Sequence, residues 1–242
     1  MIRISHYHHV TDFTDVQETH ICSQAQRSSR LERSTLNNPI QFIMHTRPVG
    51  VIGLGAMGFG VACSLLRAGF HGHAYDVRPE ALRQFESEGG VACADPAELG
   101  AACEVIVTVV VNADQTDSVL FGDRGAANTL RPGSVVLASA TVLPEYAERL
   151  GQRLEERGVH LIDAPLSGGA AKAADGAMTM MTSGPAEAYA KCEDVLAAIA
   201  SKVYRLGDRH GQGSKVKHQP TARGRPHCRR GGGDGARTAR GR

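Results

Sequence analysis

The hydrophobic pattern changes abruptly along this chain. Residues 1–43 are polar with scattered apolar positions, whereas Val49-Gly50-Val51-Ile52-Gly53 is a short, wholly apolar run that ends in glycine. Such a run predicts a central parallel strand covered on both faces. Over 57–69, Val61, Ala62, Leu65 and Leu66 share one helical face, Arg67 points outward, and Gly69 is a stop signal. A second strand is predicted at His73–Asp76, then a helix from Pro79 through Phe85, since proline is favourable at a first helical position. Val91–Cys93 reads as a third strand and Pro96–Ala101 as a short helix. Glu104–Val111 is the most β-prone segment and predicts a buried strand, with a helix after it through Ser118–Leu120. Ser134–Ala138 repeats the strand pattern, Pro144–Arg157 the helix and Val159–Asp163 the strand.

Strands that alternate with helices imply right-handed crossovers and an α/β architecture, a doubly wound parallel sheet of the Rossmann type. Met178–Thr182 and Val203–Leu206 are expected to extend that sheet at its edge.

Composition sharpens the boundaries. With 242 residues, 42% of them hydrophobic, the chain is long enough to bury a real core. Residues 218–242 hold seven Arg and six Gly against one acid, Asp234, so they contribute +6 to a total of +2 and leave the rest at −4. The body therefore has no basic field for nucleic acid. An Arg/Gly tail that contacts RNA or DNA is the competing reading, although the tail has no aromatic residue for base stacking. The expected organisation is a disordered extension over 1–43, a nucleotide-binding domain over 44–210, and over 211–242 the start of an interdomain helix followed by a disordered Arg/Gly-rich tail. Met44 reads as the natural start.

Other chemistries find little support. The six cysteines show no CxxC spacing, so neither disulfides nor a zinc site are expected, and a reducing cytoplasm fits. No metal is expected; His6, His8 and His9 read as incidental. No apolar run approaches the roughly 18 residues that span a bilayer, and the N-terminus lacks an apolar stretch of signal-peptide type. A soluble, cytosolic protein without membrane partners is expected.

Gly53-Leu54-Gly55-Ala56-Met57-Gly58 is a GxGxxG fingerprint at the end of a predicted strand and the start of a predicted helix, the context in which the pattern signals dinucleotide binding. Gly53 permits the tight turn, Gly55 lacks a Cβ that would block the pyrophosphate, and Gly58 lets helix and strand approach. The helix N-terminus offers N–H groups and a positive dipole end to the phosphates. Asp76, 18 residues past Gly58, can bond the adenosine ribose hydroxyls and repel a 2′-phosphate, which favours NAD over NADP. Arg78 lies close enough to meet such a phosphate if the loop folds inward. A turn or cap role is the plainer alternative for Asp76.

Asp163-Ala164-Pro165-Leu166-Ser167-Gly168-Gly169 follows the sixth strand, and Ala173 and Gly176 lead into Met178–Gly184. Together with the fingerprint, this resembles the β-hydroxyacid (3-hydroxyisobutyrate) dehydrogenases, whose D-x-P-V-S-G-G motif is matched here with Leu166 in place of valine. The resemblance runs from about Pro48 to Lys217. Val110-Val111-Asn112 and the Gly211–Lys217 phrase are similar to the L-threonate dehydrogenases and their tartronate semialdehyde reductase relatives.

The resemblance implies that Ser167, Gly168 and Gly169 bind a substrate carboxylate, a plain glycine turn being the alternative. It marks Val111, Asn112 and Thr141 as cofactor contacts and puts Lys217 in the place of the family's catalytic lysine. It thus implies NAD-dependent hydride transfer to and from a small 3-hydroxy acid such as a four-carbon sugar acid. It further implies a C-terminal helical domain that closes the cleft and builds the homo-oligomer. Here His218-Gln219-Pro220 and a glycine run stand where that domain's first helix should continue. The helical domain is therefore expected to be missing and activity impaired. An alternative reading frame would continue the helix, so a frameshift near Lys217 is the expected cause.

Overall fold

In the computed structural model, residues 45–218 are described. Six parallel strands form the main sheet: β1 (His45–Ile52), β2 (Phe70–Tyr75), β3 (Val91–Ala92), β4 (Val105–Thr108), β5 (Val135–Ala138) and β6 (His160–Asp163). Their spatial order is β3-β2-β1-β4-β5-β6, so the winding direction reverses between β1 and β4. The helices between them are α1 (Gly58–Arg67), α2 (Pro79–Ser87), α3 (Pro96–Ala102), α4 (Ala113–Phe121) and α5 (Pro144–Glu155). Proline opens α2, α3 and α5, where its missing N–H costs no helical bond and its φ is already set.

Alternation along the strands decides which helices pack where. Val49, Val51, Val105, Val107, Val135 and Leu137 face Val61 and Leu65 of α1 and Phe85 of α2. Ile52, Ile106, Val136 and Ala138 face Leu99 of α3, Leu120 of α4 and Leu150 and Leu154 of α5. The buried positions Val49, Val51, Ile52, Val105, Ile106, Val107, Val135, Val136 and Leu137 are therefore apolar on both faces of the sheet, as two-sided coverage demands. Each fully buried Leu, Ile or Phe contributes about 1.5–3 kcal/mol of transfer free energy.

The last third departs from expectation. Met178–Thr182 and Val203–Leu206 do not extend the main sheet; they belong to a separate three-stranded sheet. Its strands are β7 (Leu166–Ser167), β8 (Met178–Thr182) and β9 (Ala200–Arg205), in the order β7-β8-β9. Only Ala164 and Pro165 separate β6 from β7, and a parallel crossover needs a dozen or more residues. β7 therefore does not join the main sheet as a parallel strand; β8 runs antiparallel to it, and Ser183, just past β8, meets Asp163 of β6 in an isolated antiparallel bridge. The helix α7 (Ala186–Ile199), unforeseen in the sequence, supplies the crossover that makes β8 and β9 parallel. Two short helices flank this sheet, α6 (Gly169–Ala174) and α8 (Gln212–His218).

Cys63, Cys93, Cys103 and Cys192 are buried thiols without a disulfide, and burial pushes Cys93 up to about 11 and Cys103 and Cys192 to about 12. No helix among the described residues is long and apolar enough to cross a membrane. The expectations for 1–43, for Met44 and for the tail beyond His218 lie outside the described residues.

Candidate functional site

The loop between β1 and α1 has the shape its glycines allow. Gly53 has φ of +95°, in the left-handed region, and a Cβ there would stand 2.6 Å from the Val109 carbonyl oxygen. A Cβ on Gly58 would stand 1.8 Å from the Gly53 oxygen, so only glycine lets the helix start this close to the strand. At Gly55 a Cβ would meet nothing within 4 Å; the residue faces open space beside the exposed Ala56. Met57 occupies the N-cap position of α1 without a side-chain cap, and the first turn carries no acid. The dipole end of α1 is left for an external anion.

Asp76 stands at the carboxyl end of β2, nearly buried, and ties the loop down. Its Oδ2 accepts the Leu54 N–H at 2.6 Å, and its Oδ1 accepts the Arg78 N–H at 2.9 Å and Arg78 Nε at 3.0 Å. Arg78 also donates through Nη2 to the Leu54 carbonyl at 2.8 Å. Burial alone would raise the Asp76 carboxyl, but the hydrogen bonds from Arg78 and Leu54 and the guanidinium charge outweigh it and hold it below the ordinary range. The carboxylate stays ionised. Its contact to Arg78 Nη2 is long, 3.4 Å, so Oδ2 retains room for another donor.

These groups border a cleft of about 280 Å³ lined by Gly53, Gly55, Asp76, Arg78, Val111 and Val119, among others. It opens beyond the carboxyl ends of β1, β2 and β4, at the reversal in strand order where ligands of such sheets bind. β4 is shorter than expected because pairing stops once the Val109 N–H has bonded the Ile52 carbonyl; Val110 and Val111 then turn outward as cleft wall. Asn112 caps α4, its Oδ1 accepting the Gln115 N–H at 2.9 Å while Gln115 Oε1 accepts the Val111 N–H. Thr141 is exposed after β5 and does not line this cleft.

A second cluster forms around β7. Ser167 ends that strand, and Gly168 (φ +148°) and Gly169 (φ +78°) turn the chain into α6. A Cβ on Gly169 would meet nothing within 4 Å. Lys217 is brought here from the far end of the described chain: its Nζ donates to the Leu166 carbonyl at 2.9 Å. Beneath it lies Asp163, 1% exposed. Its Oδ2 accepts the Ser214 N–H at 2.8 Å and its Oδ1 the Ser214 hydroxyl at 2.7 Å. Burial pushes this carboxyl above its ordinary range, and the hydrogen bonds from Ser214 and Ser183 offset only part of that.

Comparison with known proteins agrees with this geometry. The sequence pattern of the NAD binding domain of 6-phosphogluconate dehydrogenase matches residues 48–207. The chain belongs to that family. This NAD-binding domain is 67% identical over 172 residues to the L-threonate dehydrogenase of Cupriavidus necator, covering 71% of this chain and 58% of that protein. It is 44% identical over 171 residues to the L-threonate dehydrogenase of Pectobacterium atrosepticum, covering 70% and 56%. A crystal structure of 3-hydroxyisobutyrate dehydrogenase from Salmonella typhimurium superposes with a TM-score of 0.68 at 42% identity, over 71% of this chain and 60% of that one. The chain thus spans somewhat more than half the length of the relatives it matches.

The open space at Gly55, the uncapped α1 and the ionised Asp76 suit a dinucleotide's pyrophosphate and ribose, so the NAD-binding domain fits the group its family implies. Among the described residues no group of three His, Cys, Asp or Glu could hold a metal ion. Sequence reasoning passed over two residues. Gly60, where a Cβ would stand 2.6 Å from the Ala174 nitrogen, lets α1 and α6 meet backbone to backbone; its signal was a fourth glycine two positions past Gly58. Asp163 was visible as the first residue of its motif, but nothing local ties it to Ser214.

Proposed function

We propose that this NAD-binding domain serves NAD-linked oxidation of a small 3-hydroxy acid, of the four-carbon sugar-acid class, in the cytoplasm. The observation that carries the reading is Lys217 Nζ, donated from α8 to the Leu166 carbonyl and so held beside the Ser167–Gly169 turn. In this reading, Ser167 and the exposed N–H groups of Gly168 and Gly169 hold the substrate carboxylate as a small anion nest. Lys217, once deprotonated, takes the proton of the substrate hydroxyl and returns it in reduction. A bound nicotinamide supplies the hydride chemistry.

The cofactor would lie along Gly53–Gly58, with Leu54, Ala56 and Met57 providing backbone, Asp76 meeting the ribose, and Val111 and Asn112 bordering the cleft. Thr141, exposed on the loop after β5 and outside this cleft, would meet only a part of the cofactor that extends beyond it. NAD is favoured over NADP because the ionised Asp76 repels a 2′-phosphate, while Arg78, the group suited to receive one, is engaged with Asp76 and the Leu54 carbonyl. The L-threonate dehydrogenases among its relatives support a four-carbon sugar acid as substrate.

The test is titration of NADH and NADPH by fluorescence, with and without L-threonate. Saturable binding tighter for NADH, strengthened by L-threonate in the parent and not in Ser167→Ala, is expected. Any NADH formed from NAD and L-threonate should vanish in Lys217→Met. Indifference to both nucleotides in a folded sample overturns the reading.

A further inference from the structure

We infer that Asp163 is the positioning residue for Lys217: a buried carboxylate that latches the first turn of α8 to the end of β6 and thereby fixes where the lysine amine can reach. The inference rests on the reading of Lys217 as the proton-transferring group.

The geometry has three parts. Asp163 ends β6, buried at 1% exposure, and takes both polar hydrogens of Ser214, the backbone N–H and the hydroxyl. Ser214 is itself fully buried. Beside this pair, the Gly213 N–H donates to Ser183 Oγ at 3.1 Å, and Ser183 is bridged to Asp163 through both backbone N–H groups at 2.9 Å. The N-terminal turn of α8 is therefore held through buried hydrogen bonds by residues 30 and 51 positions earlier.

The second part is closeness. A Cβ on Gly213 would stand 2.5 Å from the Met181 carbonyl oxygen and 3.0 Å from that of Asp163. The helix thus sits against the strand ends at a distance only glycine tolerates. Lys217 lies three residues past Ser214, about one helical turn, on the same side of α8. Its amine meets the Leu166 carbonyl, three residues past Asp163. The latch and the amine contact are two rungs between the same pair of segments.

The third part is cost. A carboxylate this buried is expensive unless its lone pairs are filled, and removing one partner leaves the other unsatisfied. A structure that needed only to cover the end of β6 could do so with an apolar side chain. The bonds made here instead fix the direction and register of α8.

The experiment uses the full chain with Asp163→Ala, Asp163→Asn and Ser214→Ala. Asparagine can accept the Ser214 N–H through its oxygen and donate to the Ser214 hydroxyl through its amide, so it should rescue the latch. Hydrogen–deuterium exchange of residues 211–218 should be at least about tenfold faster in Asp163→Ala, intermediate in Ser214→Ala and near the parent rate in Asp163→Asn. After 13C-reductive methylation, the Lys217 resonance, one of five lysines and assigned by its loss in Lys217→Arg, should move toward that of an exposed lysine in Asp163→Ala, part of the way in Ser214→Ala, and stay in place in Asp163→Asn.

If Asp163→Ala does not fold, Ser214→Ala carries the test through the same two readouts. Unchanged exchange and an unmoved Lys217 signal in folded Asp163→Ala, or in folded Ser214→Ala where Asp163→Ala does not fold, overturn the latch. Failure of the parent to bind NADH, or NADH formation that survives Lys217→Met, overturns the functional reading and leaves the latch standing.

Discussion

The two ends of the candidate site are built by opposite means. At the nucleotide end, backbone does the holding: Gly53, Gly55 and Gly58 lie within six consecutive residues, and a single carboxylate from the neighbouring strand, Asp76, pins the loop at Leu54. At the second cluster, side chains do it: Asp163 and Ser183 grip Ser214 and Gly213, and Lys217, one turn further along α8, meets the Leu166 carbonyl. A backbone-built site is intolerant of added atoms and indifferent to side-chain chemistry. A site assembled by side chains from distant segments tolerates volume better and fails when one polar partner is lost.

The largest expected effect tests the first half of that contrast. Gly58→Ala should cost about 3 kcal/mol in urea unfolding, because its Cβ collides with the Gly53 carbonyl, and should abolish NADH binding. Gly55→Ala should stay within about 0.5 kcal/mol of the parent, since its Cβ points into open space. It should nonetheless weaken NADH roughly tenfold, a loss of about 1.4 kcal/mol. Equal stability losses at the two positions would break the distinction between glycines needed for folding and those needed for the ligand.

A smaller effect is expected at Asp76. Asp76→Asn retains an acceptor for the Leu54 N–H but not the charge, so the preference for NADH over NADPH should narrow roughly tenfold, the scale of one charge-assisted contact. A fluorescence titration that finds the ratio unchanged would move the source of cofactor choice away from this carboxylate.

The smallest effect sets the two aspartates against each other through pH. Asp76 is held below its unfolded value, so its contribution is present above about pH 4 and is lost as pH falls through its folded pKa. Asp163 is held above its unfolded value, so the folded state binds the extra proton and stability falls as pH rises from about 4 through its folded pKa. Urea midpoints followed from pH 3 upward should therefore change slope in opposite senses in Asp76→Asn and Asp163→Asn. Parallel changes would show that the two carboxylates are not differently housed.

The same contrast explains what could be read from the sequence. The alternating strands and helices of the first two thirds and the fingerprint were legible because apolar periodicity and glycine spacing are local properties. The edge assignment for Met178–Thr182 failed because it depends on the two-residue link at Ala164-Pro165, too short for a crossover, and on the Asp163–Ser183 bridge, neither of which leaves a periodic trace. Asn112 shows how one residue type can serve another end: the resemblance marked it as a cofactor contact, and its side chain is committed to capping the start of α4. Lys217 was marked by the resemblance, through a phrase whose glycines are Gly211 and Gly213, whereas the bond between Asp163 and Ser214, 51 residues apart in sequence, carried no such mark.

Gly60 has a consequence for both ends at once. Because α1 and α6 touch there without intervening side chains, the distance between the nucleotide loop and the Ser167–Gly169 turn is gauged by a missing methyl group. A single added carbon would spread the two ligand stations apart together, like a shim driven under one jaw of a vice, with neither lining altered.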